Sequence, residues 1–182
     1  MKPYYEYVEI PNLKQLSADL LLAVPKEVKY GTIFAEYNPN EFLKDVPGLV
    51  DAVELIRPWK ELSVVALITQ YPKTDWPIHV DGENDDLKPG VAFNIPVFNC
   101  KNCYSIVYEQ IDDELPEFTT TPKTERPYRT FEPSSVKQVG IVNYNDHAVL
   151  INTAKPHTIV NPTQLPRIVA SFRFYPPILW AD

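Results

Sequence analysis

The sequence predicts a mainly β fold preceded by helices, and three observations point to it. The chain of 182 residues holds 19 prolines against 5 glycines, and proline breaks helices while suiting turns and strand ends. Beyond residue 59, short apolar runs rich in Val, Ile, Tyr and Phe are separated by turn residues. Before residue 59, apolar residues recur at helical spacing instead.

The N-terminal part is expected to be helical after an extended start, "YYEYVEI". The segment "NLKQLSADLLLAV" predicts a helix with Asn12 as its N-cap and Pro25 as its end. The segment "NPNEFLKDVPGLVDAVELI" predicts a second helical region, which Pro47–Gly48 divides into two pieces. The chain length is that of one domain, so residues 1–182 are expected to form a single unit.

Seven apolar runs follow, and a short strand ending near His79 makes about eight strands. The runs are "ELSVVALITQY", "GVAFNIPVFN", "CYSIVYEQ", "VKQVGIVNY", "HAVLINT", "HTIVN" and "RIVASFRFY". Eight short strands without intervening helices predict a jelly roll or small barrel over residues 59–176. Its main interruption, residues 112–135, is polar and proline-rich, and is expected to be either disordered or a functional loop.

Composition excludes some classes of protein. Hydrophobic residues make up 45% and charged residues 23%, as in ordinary globular proteins. No run of about eighteen apolar residues occurs, so no membrane span is expected. The N-terminus lacks the apolar core of a signal peptide, which predicts a cytoplasmic protein. A net charge of −7 disfavours nucleic acid as a partner, because phosphate binding needs clustered Lys and Arg.

The two cysteines, Cys100 and Cys103, form a single C-x-x-C. A structural zinc site needs two more ligands of this kind, and a redox dithiol would normally lie beside a βαβ unit. Neither condition is met in the sequence, so two reduced thiols near a hairpin turn are expected.

Two of the three histidines lie where a metal site could form. His79 and Asp81 are two residues apart, so on an extended segment both side chains point to the same face. His157 lies near the far end of the strand series. Two imidazoles and one carboxylate on one face of a barrel form a facial triad, which leaves coordination positions open on non-haem Fe(II). The alternative is a polar turn around His79 and an edge-strand position for His157.

A basic residue follows ten positions after His157. Strand alternation places Arg167, Val169, Ser171 and Arg173 on one face of the last strand. An inward-pointing arginine needs an anionic partner, because an unpaired buried charge is costly. The guanidinium fork matches a dicarboxylate co-substrate well.

These residues together resemble the Fe(II)- and 2-oxoglutarate-dependent dioxygenases. The family pattern is H-x-D, a long gap, a second histidine and then a basic residue, which here are "HVD", His157 and Arg167. "AFNIPVFN" is similar to a strand of the aspartyl/asparaginyl- and prolyl-hydroxylase-like branches, and "KPHTIVNP" resembles the strand with the distal histidine. The resemblance covers roughly residues 60–175. It implies a double-stranded β-helix core, with residues 1–58 as a helical buttress against one sheet.

The resemblance also implies an activity and a ligand set. His79, Asp81 and His157 would be the catalytic residues that bind iron, and Arg167 would bind the distal carboxylate of 2-oxoglutarate. With O2, such an enzyme converts this small-molecule co-substrate to succinate and CO2 and hydroxylates its substrate. The "NIPV" run favours an amino-acid or peptidyl substrate.

Other residues are secondary candidates. Asn94 and Tyr71 are candidates to hydrogen-bond the co-substrate or the substrate, and the alternative for Asn94 is that it satisfies backbone groups near Pro96. Many relatives carry a serine or threonine two residues after the arginine, where this chain has Val169, so that part of the pocket stays unassigned. Arg173 is expected at a solvent-facing or lip position, with a role as the anchor as the second choice. The remaining candidates are His147 as a turn residue, Trp76 at the entrance or in the core, and Arg126, Tyr128 and Arg129 in a loop that either binds or is a plain surface excursion.

Two rival functions stay open. One is a cupin-like metalloenzyme without 2-oxoglutarate, which is disfavoured because cupins usually gather three or more histidines. The other is a non-catalytic jelly-roll protein with a binding or structural role. Both differ from a dioxygenase in one property, namely whether 2-oxoglutarate binds only when iron is present.

Overall fold

The computed structural model describes residues 4–24, 33–81, 90–112, 116–120 and 127–180. Within them, helices occur only before residue 59, apart from short 3-10 turns. They are α1 (Leu13–Ala23), α2 (Pro39–Asp45) and α3 (Leu49–Glu54). None of the helices among these residues has the length and apolar character needed to cross a bilayer.

The strands form two sheets. In chain order they are β1 (Tyr5–Val8), β2 (Ile33–Tyr37), β3 (Leu62–Gln70), β4 (Thr74–Asp75), β5 (His79–Asp81), β6 (Val91–Phe98), β7 (Tyr104–Gln110), β8 (Glu117–Thr120), β9 (Pro127–Thr130), β10 (Val136–Asn143), β11 (Ala148–Asn152), β12 (His157–Asn161) and β13 (Arg167–Phe174). Sheet A has the order β1-β11-β6-β13-β3-β2. Sheet B has the order β10-β7-β12-β5-β9-β8, and β4 pairs with β12.

Eight of these strands form a jelly roll, as the sequence predicts. They pair antiparallel in a nested series, β7 with β10, β6 with β11, β5 with β12 and β3 with β13. Successive pairs lie alternately in sheet B and sheet A, so the chain is one long hairpin wound around itself. Two further pairings, β12 with β7 and β13 with β6, join the turns of the winding within each sheet. The predicted mainly β, double-stranded β-helix fold is therefore confirmed.

Sheet A is buried on both faces, and this explains its near-continuous apolar strands. On one face, alternate residues of β6 and β13 such as Ile95 and Phe172 join a core cluster with α1, α2 and α3. On the other face, Val169 joins a smaller cluster with residues of β7 and β10, which belong to sheet B. The polar members of β13, Arg167, Ser171 and Arg173, alternate with Ile168, Ala170 and Phe172, so they face the space between the sheets.

The N-terminal part contains the expected helices and also a strand that the sequence analysis missed. Gly48 interrupts the second helical region, with a φ of 75° that suits glycine. Asn12 precedes α1 but makes no side-chain capping bond, and Pro25 lies outside the described residues. Strand β2 adds an edge to sheet A beside β3. The helices cover the outer face of sheet A, where the Ser17 hydroxyl donates to the Pro96 carbonyl at 2.6 Å.

The segment 112–135 contains two strands among its described residues. Its residues 117–120 and 127–130 form β8 and β9, which pair with each other, and β9 pairs with β5. This segment therefore widens sheet B beside the strand that carries His79 and Asp81. Arg126 lies outside the described residues.

The C-x-x-C lies in a turn between the two sheets, because it joins β6 of sheet A to β7 of sheet B. It was expected near a hairpin turn, which would have kept both strands in one sheet. The Cys103 amide donates to the Cys100 carbonyl at 3.1 Å. Both thiols are free and buried.

Candidate metal centre

The fold brings His79, Asp81 and His157 together on one face of sheet B. His79 and His157 are directly opposite each other on β5 and β12, so their side chains share a face. Asp81 is two residues beyond His79 on the same strand and points the same way. One ligand atom from each residue lies within 4.8 Å of the others. These three residues could hold one metal ion.

Backbone carbonyls orient both imidazoles. His79 Nδ1 lies 2.8 Å from the Pro77 carbonyl oxygen, and His157 Nδ1 lies 3.0 Å from that of Lys155. A carbonyl oxygen only accepts, so each Nδ1 is the donor and each Nε2 keeps its lone pair. The two Nε2 atoms lie 3.3 Å and 3.9 Å from Oδ1 of Asp81. This carbonyl support of the remote nitrogen is typical of metal-binding histidines.

The protonation states suit metal binding. Burial, followed by the neighbouring His79 ring, lowers the pKa of His157 to about 4, so its imidazole is neutral near pH 7. Burial alone would raise the pKa of Asp81, but Arg173 and the two imidazoles outweigh it and hold that pKa well below its ordinary value. A metal ion requires a neutral imidazole and an ionised carboxylate, and the site provides both.

Arg167 is buried on β13, facing the space between the sheets, with 1% of its surface exposed. Its guanidinium lies over the ring of Tyr144, 4.5 Å from the ring centroid. Its Nε has no hydrogen-bond partner, and none of the carboxylates in the described parts of the chain pairs with it. The Tyr144 ring covers one guanidinium face, whereas hydrogen bonds form in the guanidinium plane. The arrangement can therefore accept an anionic ligand.

Asn94 is a second buried polar group without a full set of partners. It lies on β6, opposite Ser171 of β13 and Val149 of β11. It shares the inner face of sheet A with Ala92, which belongs to the cluster between the sheets. Only 8% of Asn94 is exposed, and its Oδ1 accepts no hydrogen bond. Such a group has a capacity for a polar ligand.

The contacts of Tyr71 are less informative. It directly follows β3, and its carbonyl accepts from the Asn161 amide at 3.1 Å and from the Thr74 hydroxyl at 2.6 Å. These bonds fix its backbone at the end of sheet A. They do not connect its hydroxyl to the three metal-ligand candidates.

The position two residues after Arg167 is Val169, which has no hydroxyl. Its side chain faces the space between the sheets, with 1% of its surface exposed. Ser171 shares that face and is also buried. Another hydroxyl pair lies on the Arg167 side: Ser105 and Tyr144, whose oxygens are 3.0 Å apart. Sequence reasoning missed this pair, because Tyr144 follows its strand and no spacing relates it to Arg167.

Arg173 was expected at a solvent-facing or lip position, and the structure shows it partly exposed and paired with Asp81. Its Nη2 pairs with Oδ2 of Asp81, and its Nη1 donates to Thr153 Oγ1 at 2.8 Å. Its side chain is 27% exposed. The sequence indicated that Arg173 shares a face with Arg167, but it did not indicate this partner.

Two aromatic rings flank His79. The Tyr128 ring, on β9, meets the imidazole edge to face with centroids 5.8 Å apart. The Trp76 ring lies 6.1 Å from His79 and 6.3 Å from Tyr128. Trp76 therefore lies beside the metal-ligand candidates, and the segment 112–135 contributes Tyr128 to the same place. Arg129 lies opposite Val80 in the register of β9 and β5, whereas His79 and Asp81 lie opposite its neighbours. Its side chain therefore points away from the metal-ligand candidates.

His147 lies apart from these residues. Its Nδ1 is 3.0 Å from Oε1 of Glu9, and its ring packs against Tyr7 on the surface. It follows a turn after Asn143, as the sequence indicates. It is therefore a useful control histidine.

Comparisons with known proteins give likenesses of fold. No protein-family profile and no curated protein matches the sequence. Among solved structures, the chain is similar to a Pseudomonas putida prolyl-4-hydroxylase, with 12% identity, 94% of this chain and 91% of that chain covered, and a TM-score of 0.49. It is also similar to EvdO2 from Micromonospora carbonacea var. aurantiaca complexed with 2-oxoglutarate, with 16% identity, 82% and 70% coverage and a TM-score of 0.43.

Larger proteins with related folds match as well. Vicilin from Corylus avellana (hazelnut) has 9% identity and a TM-score of 0.41, with 81% of this chain covered. The chain spans only 30% of that protein, and between 23% and 37% of three other matched chains. At these identities the likenesses concern the fold alone.

Proposed function

We propose that the protein is a non-haem Fe(II)- and 2-oxoglutarate-dependent oxygenase that hydroxylates its substrate and releases succinate and CO2. One observation carries the proposal: a buried arginine that pairs with no carboxylate among the described residues faces the same space between the sheets as a His-Asp-His group. Metal ligands alone would fit many metalloproteins. A metal group combined with a buried guanidinium that has no carboxylate partner in the described parts of the chain fits a ligand with a chelating end and a distant anionic end.

The spacing of the two sites agrees with such a ligand. In the backbone register of sheet A, Arg167 on β13 lies opposite Gln70 on β3. The Gln70 carbonyl accepts from the Asn161 side-chain amide, so Arg167 lies level with the Asn161 end of β12. His157 is four residues away on that strand, about 13 Å at the usual rise per residue. In the proposal, the long Arg167 side chain and the His157 ring reach into this span from its two ends, and a five-carbon dicarboxylate bridges the remainder.

Each residue has a defined task in this proposal. His79, Asp81 and His157 hold the iron, and the Arg167 fork binds the distal carboxylate in a bidentate manner. The Tyr144 ring supports the guanidinium from one side, and Asn94 hydrogen-bonds the co-substrate. Iron, when bound, would supply the oxygen chemistry. The protein would position the reactants and shield them from side reactions. The apolar cluster between the sheets, which includes Val107 and Val169, keeps water from the co-substrate.

We extend the proposal to an amino-acid or peptidyl substrate. The "NIPV" run of β6 resembles the corresponding strand of amino-acid hydroxylases. Trp76 and Tyr128 flank His79 and are partly exposed, so they are placed to contact a substrate that approaches the metal.

Anaerobic visible spectroscopy tests the proposal without knowledge of the substrate. Fe(II) and then 2-oxoglutarate are added to the wild type, to His79→Ala and to His147→Ala as the matched histidine control. We expect a weak charge-transfer band that needs both additions, persists in His147→Ala and is lost in His79→Ala. Iron binding without the band would indicate a cupin-like metalloprotein that does not use 2-oxoglutarate. No iron binding by the folded wild type would indicate a non-catalytic jelly roll.

A further inference from the structure

The Asp81 carboxylate has two different neighbours. Its Oδ1 faces the imidazoles, 3.3 Å from Nε2 of His79 and 3.9 Å from Nε2 of His157. Its Oδ2 accepts from Nη2 of Arg173. One oxygen is therefore directed to the metal-ligand side, and the other already belongs to an ion pair.

Arg173 is itself held in place by Thr153. Its Nη1 donates to Thr153 Oγ1 at 2.8 Å, and that hydroxyl donates to the Gly90 carbonyl at 2.7 Å. The Thr153 carbonyl also accepts from the Asp81 amide at 3.1 Å. Thr153, which is 2% exposed, thus fixes the backbone of Asp81 and the guanidinium that grips its side chain.

We propose that Arg173 is a positioning residue that reserves Oδ2 of Asp81, so that Asp81 binds the metal through Oδ1 alone. This inference rests on the proposed function, because it assumes a metal at the triad. A carboxylate that binds through both oxygens occupies one more coordination position. The proposed reaction needs positions for both donor atoms of the keto acid and for oxygen. Arg173 keeps that additional position open.

The two arginines of β13 therefore have separate tasks. They lie six positions apart on the same face of the strand. Arg167 has no carboxylate partner within the described chain and is available to an anionic ligand. Arg173 already neutralises Asp81, so it is not the anchor of the co-substrate. Its ion pair with Asp81 is 27% and 34% exposed, so it is only partly open to solvent. If Arg173 served folding alone, its replacement would change the free energy of unfolding and leave the coordination of the metal unchanged.

Charge and geometry predict opposite changes in metal affinity when Arg173 is replaced by a neutral residue, so the measured direction separates the two effects. Removing a positive charge beside a divalent cation should by itself tighten metal binding. Losing the hydrogen bond that orients a ligand typically weakens metal affinity by about 10–100-fold. We expect weaker binding of Co(II), used as a spectroscopic probe, in Arg173→Gln.

Three further variants separate the contributions. Arg173→Lys keeps the charge but loses the fork, and it should also weaken Co(II) binding. Thr153→Val removes the hydroxyl that holds Nη1 and should cause a smaller loss. Arg57→Gln is the matched control, because Arg57 pairs with Glu61 at 2.7 Å and is not part of the site. It should bind Co(II) like the wild type.

The measurements are Co(II) titrations of the apoprotein, the visible absorption of bound Co(II), and 2-oxoglutarate affinity of the Co(II)-loaded protein. We expect Arg173→Gln to change the absorption, which reports coordination geometry, and to weaken 2-oxoglutarate binding as Asp81 takes a second position. Unchanged or tighter Co(II) binding with an unchanged spectrum would overturn the role of Arg173 and leave the proposed function intact. Absence of Co(II) and Fe(II) binding in the wild type would overturn the metal centre and this role together.

Discussion

At the scale of the residue, Arg167 shows the clearest conflict between stability and function. Its guanidinium is buried and meets no carboxylate in the part of the chain that the structure describes, and such a charge costs folding free energy. The ring of Tyr144 offsets only part of that cost, since a cation–π contact contributes about 0.5–2 kcal/mol. A residue that lowers stability in the free protein is expected where a ligand later neutralises it.

Replacing Arg167 with methionine should therefore separate the two properties. We expect the free energy of unfolding of the apoprotein, measured in urea, to stay unchanged or to rise by about 1–2 kcal/mol, because a buried charge is replaced by an apolar side chain of similar length. The same variant should lose 2-oxoglutarate binding. A loss of several kcal/mol would mean that Arg167 has a structural partner after all.

His157 gives the apoprotein a definite dependence on pH. Its pKa is about 4 in the folded state, against 6.5 for the unperturbed group. Below pH 6.5, His157 is protonated in the unfolded chain but stays neutral in the folded protein. The free energy of unfolding therefore falls as the pH is lowered toward 4. The full difference is about 3 kcal/mol at 1.4 kcal/mol per pKa unit. Asp81, whose pKa is depressed, adds to the loss only below about pH 4.

Urea unfolding of the metal-free protein at several pH values between 7 and 4 tests this expectation. The wild type should lose stability across this range, and His157→Phe should lose less. Equal slopes for the two proteins would show that another group is responsible.

Trp76 should report metal binding, since its ring lies 6.1 Å from that of His79. We expect Co(II) to quench part of the tryptophan fluorescence of the wild type. Trp76→Phe should bind Co(II) with similar affinity. The other two tryptophans still fluoresce in this variant, and Co(II) should leave their emission unchanged. Quenching that persists in Trp76→Phe would mean that the metal binds elsewhere.

At the scale of the element, the helices cover the outer face of sheet A whereas the site lies between sheets A and B, which predicts that the two are energetically separate. Gly48 connects α2 and α3 with a φ of 75°, and an added Cβ would meet no atom within 4 Å. Gly48→Ala should lower the free energy of unfolding by about 1–2 kcal/mol through backbone strain alone. Its Co(II) affinity should match that of the wild type; a change in affinity would contradict the separation.

The elements also show why sequence analysis succeeded in one region and failed in another. Strands such as β6 and β13 are long and apolar because both faces are buried, so their pattern is strong. Strands β8 and β9 are four residues each, largely polar, and stabilised by pairing with each other and with β5. No local signal encodes that pairing. Strand β2 was missed for a similar reason, since it is a short edge strand within a helical region.

At the scale of the whole molecule, the winding of the chain brings distant residues to one site. The H-x-D spacing was visible locally, and the pairing of β5 with β12 places His157 directly opposite His79. Strand alternation placed Arg167 and Arg173 on one face but could not say that Arg173 would meet Asp81. That contact depends on how the two sheets face each other, which the sequence pattern does not contain. The roles of these residues stay predictions.

The central claim is that one ligand spans the metal triad and Arg167. Its most direct test compares, under anaerobic conditions, the binding of 2-oxoglutarate and 2-oxopentanoate to the Fe(II)-loaded wild type and to Arg167→Met. Both ligands have the same chelating end and chain length, but only 2-oxoglutarate has a distal carboxylate. We expect the wild type to bind 2-oxoglutarate at least about tenfold more tightly, since one charge-assisted pair contributes roughly 1.5–3 kcal/mol, and Arg167→Met to bind both equally weakly. Equal affinities in the wild type, or a preference for 2-oxoglutarate that survives in Arg167→Met, would contradict the claim.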